Sequence, residues 1–227
     1  MINPKDFWRI VGLLEKHYGK PCAAPARTVL ELVLYENIAY LVSDDRREKA
    51  FRELKSKIGT RPEDLLLAST TELARIASIG GIFPDLRARR LQEAARIARD
   101  IFDGDLESVL VLPFAKARRA LKQFPAIGEP GAEKILLFTG AHACLALESN
   151  GVRALVRLGF AQEHKSYSST YRALQNALSE SAGSKCDPLI AAHRLLKRHG
   201  QEICRRSAPR CAECPVRAGC EFAAAQK

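Results

Sequence analysis

The sequence predicts an all-α protein of about ten helices, and three observations carry that prediction. Apolar residues recur three and four apart through most of the chain, the spacing of a helix with one buried face. Glycine and proline fall between these periodic stretches rather than inside them, where they punctuate helices. No pair of segments alternates apolar and polar residues as two half-buried strands would.

Residues 5–17 (DFWRIVGLLEKHY) form an amphipathic helix with Phe7, Ile10, Val11 and Leu14 on one face. Pro21 to Pro25 is a short break. Residues 28–41 are strongly apolar, with Val29, Leu32, Val33, Ile38 and Leu41, and are long enough for a buried helix. A charged amphipathic helix follows over 44–58. Arg61-Pro62-Glu63-Asp64 opens a short helix, proline being tolerated in a first turn. Thr70 or Thr71 caps the next, with Leu73 and Ile76 inward, and Gly80-Gly81 ends it. Another amphipathic helix runs over 86–102. Pro113 begins a basic helix that ends near Phe124, and an apolar helix runs from Gly128 to Phe138. Further helices are expected at 148–159, 167–180 and 187–200. No segment repeats at a solenoid period.

Composition bounds the class. A chain of 227 residues with 47% hydrophobic residues folds around one large core or two modest ones. No apolar run is long enough to span a bilayer, and MINPKDFWRI lacks the layout of a signal peptide, so a cytoplasmic protein with no membrane partner is expected. The formal net charge of +10 favours a polyanionic partner. Its distribution says more: Arg194, Lys197, Arg198, Arg205, Arg206, Arg210 and Arg217 crowd one C-terminal segment, against Glu202 and Glu213. A merely solvated helix face interleaves opposite signs.

That basic segment contains the chain's most specific pattern. Cys204, Cys211, Cys214 and Cys220 stand at C-x6-C-x2-C-x5-C within 17 residues. Thiolates this closely spaced converge on one metal centre. Zinc ribbons present two close pairs, whereas only Cys211 and Cys214 are close here. The asymmetric wrap suits the four corners of a [4Fe-4S] cube better. Of the seven cysteines, Cys22, Cys144 and Cys186 read as ordinary packed thiols in a reducing compartment. A second pattern, Leu121-Lys122-Gln123-Phe124-Pro125-Ala126-Ile127-Gly128, joins two helices by a tight turn.

Taken together, these stretches carry a resemblance. The cysteine spacing after His199-Gly200 looks like the iron–sulfur loop of the endonuclease III family, and the turn is similar to the Leu-Pro-Gly-Val-Gly element of the helix–hairpin–helix glycosylases. The resemblance covers roughly residues 29–222. It implies two helical lobes, 29–139 carrying the hairpin and 1–28 with 140–227 carrying the iron–sulfur loop, with double-stranded DNA across the cleft between them. It implies a monomer, associated with the nucleoid, that flips a target nucleotide. In the hairpin, backbone amides at a helix N-terminus bind a phosphate without reading sequence. That places DNA at Phe124, Pro125, Ile127, Gly128 and Gly131, with Arg205, Arg206 and Arg210 as phosphate contacts on the loop. Asn37 stands where the family often has a glutamine that probes the opened duplex, and Ile79-Gly80-Gly81-Ile82-Phe83 resembles its Ile-Gly-Leu-Tyr turn.

At the catalytic positions the chain departs from the family. The lysine that attacks the sugar in bifunctional members falls, residue for residue, on Pro130. Proline forms no Schiff base, though it fits a helix's first turn. Lys134 lies one helical turn further on, about 6 Å along the axis, and is the alternative amine. The family aspartate falls on Glu148 in Leu147-Glu148-Ser149-Asn150-Gly151-Val152-Arg153, and Asn150 is similar to the asparagine of the adenine-specific mismatch branch. A carboxylate here stabilises positive charge developing on the sugar or activates water; otherwise it is a helix N-terminal glutamate favoured by the dipole. The expected function is a monofunctional DNA glycosylase using Glu148. The alternatives are a non-catalytic protein that recognises damaged or bent duplex, and a DNA-bound redox sensor.

Overall fold

A computed structural model of the chain describes residues 3–22 and 26–226. The expected break at Pro21–Pro25 falls partly on residues 23–25, outside the described residues, as do the first two residues of the N-terminal stretch. The protein is all-α: among the described residues the only β pairing is an isolated bridge between Tyr40 and Gly81. In order the helices are α1 (Phe7–Tyr18), α2 (Val29–Asn37), α3 (Asp44–Lys57), α4 (Pro62–Leu67), α5 (Thr70–Ile79) and α6 (Pro84–Asp100). They continue as α7 (Phe114–Leu121), α8 (Glu129–Phe138), α9 (Ser149–Leu158), α10 (Tyr167–Leu178), α11 (Cys186–Glu202) and α12 (Glu221–Ala224). The chain divides into two compact units, Met1–Cys22 with His142–Lys227, and Ala23–Ala141.

The unit Ala23–Ala141 is built around α2, which buries Val29, Leu30, Leu32, Val33 and Leu34. Helix α6 packs against α2, α4 and α5. Its inward face is Ala88, Leu91, Ala94, Ala95 and Ala98, all fully buried, and small side chains there let three neighbours approach. Caps set the helix starts. Thr28 accepts from the Glu31 amide at 3.1 Å. Ser69, rather than the expected Thr70 or Thr71, caps α5 through a reciprocal box with Glu72. The expected helix over 28–41 stops at Asn37. Ile38 and Ala39 remain buried, but Leu41 has φ +55 and is 77% exposed, so it lies outside the core predicted for it. The reason is a close crossing: a Cβ on Gly80 would lie 2.2 Å from the Ile38 carbonyl oxygen. Backbone contact turns the chain away there, and the Tyr40 amide donates to the Gly80 carbonyl at 3.0 Å. The basic helix also differs, since Pro113 is its cap and it ends at Leu121.

In the unit Met1–Cys22 with His142–Lys227, α11 packs against α1 and α9, and α9 also meets α10 and α12. Phe7, Ile10, Val11 and Leu14 of α1 are buried, the face that the periodicity predicts. A Cβ on Gly200 would lie 2.6 Å from the Asn150 carbonyl oxygen. Glycine therefore lets the C-terminal end of α11 touch the start of α9, which brings Glu148 and Asn150 beside the cysteine loop.

Candidate nucleic-acid interface and metal centre

The hairpin joins α7 to α8 in the unit Ala23–Ala141. Hydrogen bonds from Phe124 N to Leu121 O and from Ile127 N to Phe124 O close it, each at 3.2 Å. Phe124 and Ile127, expected as DNA contacts, are instead 2% and 5% exposed. Phe124 stacks on Phe102 at 5.8 Å. Their apolar side chains are pulled into the core and hold the turn from beneath, so any contribution they make to binding is through the backbone. Asn37, expected to probe an opened duplex, is 4% exposed and donates to the Val33 and Pro125 carbonyls at 3.0 and 2.9 Å. It ties α2 to the hairpin, with its own Oδ1 buried and unpartnered.

Above this base the backbone is open. Gly128 caps α8 at φ −87, and Gly131 sits in its first turn. A Cβ on Gly128 would meet nothing closer than 3.9 Å and one on Gly131 nothing closer than 3.6 Å. The fold itself needs neither glycine. Neither amide donates to another group of the protein among the described residues. Ala126 takes φ +59, where a glycine would carry no strain. Beside the amides, Arg118 bridges Glu129 at 2.9 Å and the buried Glu133 at 2.7 Å.

Lys134, the alternative amine, is largely buried. Its side chain is 16% exposed and forms an ion pair with Glu36. An ammonium held by a carboxylate is a poor nucleophile. The Ile79–Phe83 turn is pinned by Arg87, 3% exposed, which donates to the Ile38 and Gly80 carbonyls at 3.2 and 2.6 Å. The bridge sets this turn beside Tyr40 and Leu41 and leaves Tyr40, Leu41, Ile82 and Phe83 as an exposed apolar ridge. Sequence reasoning missed this ridge.

In the other unit, Glu148 is the N-cap of α9. Its Oε1 accepts from the Gly151 amide at 2.8 Å and its Oε2 from the Asn150 side chain at 2.8 Å. A carboxylate offers about four acceptor positions, so both oxygens keep capacity for a water or a substrate hydroxyl. Asn150 in turn accepts from Arg153, which donates to the Gly200 and Cys204 carbonyls at 2.6 and 3.0 Å. Burial lowers the Arg153 pKa, but a guanidinium remains cationic.

All four clustered cysteines line one concavity, with Ile203, Val216 and Phe222 among its apolar walls. Burial pushes the Cys214 thiol up to about 11 and raises that of Cys220. For both, the neighbouring thiols add to the effect. Arg157 lies over the Phe222 ring at 4.3 Å. It donates to Cys204 Sγ at 3.6 Å and to the Arg205 and Arg206 carbonyls. On the far side, His199 Nε2 is 3.7 Å from Cys214 Sγ, and its Nδ1 is 3.2 Å from the Tyr18 hydroxyl. Burial lowers the His199 pKa to about 4 and raises that of the Tyr18 hydroxyl. Arg205, Arg206 and Arg210 are exposed on the loop. Arg205 donates to the Glu202 carbonyl, and Arg210 lies 3.9 Å from Glu213. Among the described residues, no three His, Cys, Asp or Glu side chains are arranged to hold one metal ion.

No protein-family model matches the chain. The endonuclease III of Sulfolobus acidocaldarius is 23% identical over 199 residues, 86% of this chain and 81% of that protein. The endonuclease III of Bacillus subtilis is 24% identical over 160 residues, 70% and 66% of the two. Among solved structures, an endonuclease III–DNA covalent intermediate matches with a TM-score of 0.78 at 18% identity, covering 100% of this chain and 99% of that one. A thermostable thymine-DNA glycosylase matches at 0.74 and 18%, covering 97% and 98%. A Helicobacter pylori 3-methyladenine DNA glycosylase bound to 1,N6-ethenoadenine matches at 0.69 and 15%, covering 88% and 98%. The chain has the fold of endonuclease III.

Proposed function

We propose that this chain, built on the endonuclease III fold, is a DNA glycosylase of base-excision repair. It hydrolyses the N-glycosidic bond of a damaged or mismatched base and forms no amine–sugar intermediate. The observation that carries the DNA partner is the hairpin: two glycines that the fold does not require, with unpartnered amides at a helix N-terminus. That is the arrangement a phosphate fills. The basic loop supplies further phosphate contacts, and the exposed Tyr40, Leu41, Ile82 and Phe83 are suited to stack against bases of a distorted duplex. The protein acts as a monomer on duplex DNA in the cytoplasm.

Water is the nucleophile in this reading. Pro130 carries no amine, and Lys134 is paired with Glu36. Glu148 orients the water or faces the cationic sugar, and Asn150 and Arg153 hold its carboxylate in place. The target nucleotide leaves the stack to reach it.

The thiols fit a [4Fe-4S] cluster. The four thiols line one concavity with apolar walls, a lining that suits a thiolate-ligated iron cluster. Cys204, Cys211, Cys214 and Cys220 would hold the cluster, which staples the basic loop and takes no part in bond breaking.

A glycosylase screen over duplexes carrying different lesions, with and without alkali, tests the reading. Strand cleavage only after alkali, with no borohydride-trapped adduct, is expected. A trapped adduct would assign an amine nucleophile. No product on any lesion would favour a second reading, a non-catalytic protein of damaged or bent duplex. That reading draws on Glu148, whose two oxygens both serve the helix start.

A further inference from the structure

We infer that Tyr18 and His199 are positioning residues for the cluster: the Tyr18 hydroxyl fixes the His199 tautomer that donates a hydrogen bond to Cys214. The inference rests on the iron–sulfur reading of the four thiols. Three elements meet here: the C-terminal end of α1, the last turn of α11, and the cysteine loop. Tyr18 Oη lies 3.2 Å from His199 Nδ1, and His199 Nε2 lies 3.7 Å from Cys214 Sγ, within reach of a hydrogen bond to sulfur. A neutral imidazole carries one proton on its two nitrogens, and the hydrogen bond at one nitrogen decides which form prevails. A metal-bound Cys214 sulfur only accepts, so the proton sits on Nε2 facing it, and the Tyr18 hydroxyl, which can donate or accept, donates to Nδ1 and supports that tautomer.

The surroundings hold this geometry. His199 is 2% exposed, so water does not compete for its ring. The Ile203 and Cys204 amides both donate to its carbonyl, at 3.0 and 2.8 Å, which locks the residue at the mouth of the loop. Tyr18 is clamped by Arg198, whose guanidinium lies 4.8 Å from the ring centre and donates to the Tyr18 carbonyl at 3.2 Å. A hydrogen bond to a ligating sulfur draws charge from it, raises the cluster's reduction potential and shields the Fe–S bond. The opposite side of the cavity has the Arg157 contact to Cys204. Cys204 and Cys214 therefore have different side-chain donors, and only the one at Cys214 depends on a tautomer.

Tyr18→Phe removes the hydroxyl and keeps the ring against Arg198 and His199. The test measures iron and sulfide content, the visible spectrum, the reduction potential by electrode titration, and the rate of iron loss to a chelator. Tyr18→Phe should lower the potential and speed iron loss several-fold, with duplex affinity unchanged. His199→Gln supplies an amide donor that has no tautomer to choose. Its potential should lie closer to wild type than that of His199→Phe, and adding Tyr18→Phe to it should change nothing further. A fully loaded Tyr18→Phe protein with wild-type potential and iron-loss rate would overturn the inference and leave the iron–sulfur reading intact. Wild-type protein that binds zinc or no metal would overturn both. Circular dichroism on each variant separates a misfolded His199 substitution from a changed cluster, and Tyr18→Phe decides the matter alone if His199→Gln does not fold.

Discussion

At the scale of single residues, Glu148 does two jobs that one substitution can separate. As the cap of α9 it satisfies the Gly151 amide, and as a carboxylate it brings negative charge to the start of that helix. Glu148→Gln retains an oxygen for the cap and removes the charge. Folding should therefore lose only about 0.5–1 kcal/mol, while base excision should fall by a hundredfold or more, on the order seen when one transition-state partner is removed. Unchanged single-turnover excision would take Glu148 out of the mechanism. Glu148→Asp shortens the reach by one methylene, and a displacement of about 1 Å costs on the order of a hundredfold in rate if the surroundings suit the longer side chain. Lys134 gives the opposite expectation. Lys134→Met removes the half-buried ion pair with Glu36, at a cost of roughly 2 kcal/mol, between the values for exposed and buried pairs. Thermal unfolding should register that loss, and excision measured below the melting range should persist. Loss of excision in the folded variant would make Lys134 the amine after all.

At the scale of elements, the hairpin separates what supports a turn from what meets DNA. Phe124, Ile127 and Asn37 look inward and keep the loop in place, while Gly128 and Gly131 present only backbone. Gly131→Ala is the informative variant, because its Cβ would make only ordinary contact with Ile127 at 3.6 Å. The protein should be as stable or slightly more so, since alanine is the better helix former by up to about 1 kcal/mol. Duplex affinity should drop for every sequence alike. Unchanged affinity in a fluorescence titration would remove the hairpin from the interface. The cysteine loop is a second element with its own test. Replacing Arg205, Arg206 and Arg210 by alanine should weaken duplex binding uniformly. It should also flatten the plot of log affinity against log salt by up to about 3 units of slope, one for each phosphate that a guanidinium no longer neutralises. A slope equal to that of wild type would mean these side chains meet solvent only.

At the scale of the whole molecule, stability depends on pH through charges buried in the helical cores. Glu31 is 5% exposed on α2. Burial alone would raise its pKa, but the Lys55 ammonium at 2.6 Å and the Arg27 amide at 2.8 Å outweigh burial and hold it below the ordinary value of 4.5. The folded state therefore binds the proton less readily than the unfolded chain. Its contribution is complete above the ordinary carboxylate range and is lost as pH falls through the depressed folded value. Melting temperature should decline on that acid limb, and Glu31→Gln should lower stability at neutral pH while flattening the decline. An acid limb as steep in Glu31→Gln as in wild type would assign it to other carboxylates.

The sequence by itself determined the helical class, most helix boundaries to within a few residues, and the order of hairpin and cysteine loop. These are properties of neighbouring residues: periodicity, caps and spacing act over one or two turns. The same locality explains where it stopped. Nothing within a turn of Leu41 says that Gly80 will cross beside Ile38 and end the buried helix early. Nothing near Asn37 says that its amide will be spent on the Pro125 carbonyl, 88 residues away, or that Lys134 will pair with Glu36, 98 residues away. The cysteines announced themselves by spacing, but Tyr18, 181 residues from His199, did not. Only the packing of α1 against α11 brings Tyr18 to His199, because a hydrogen bond between distant residues exists only once burial has fixed both side chains.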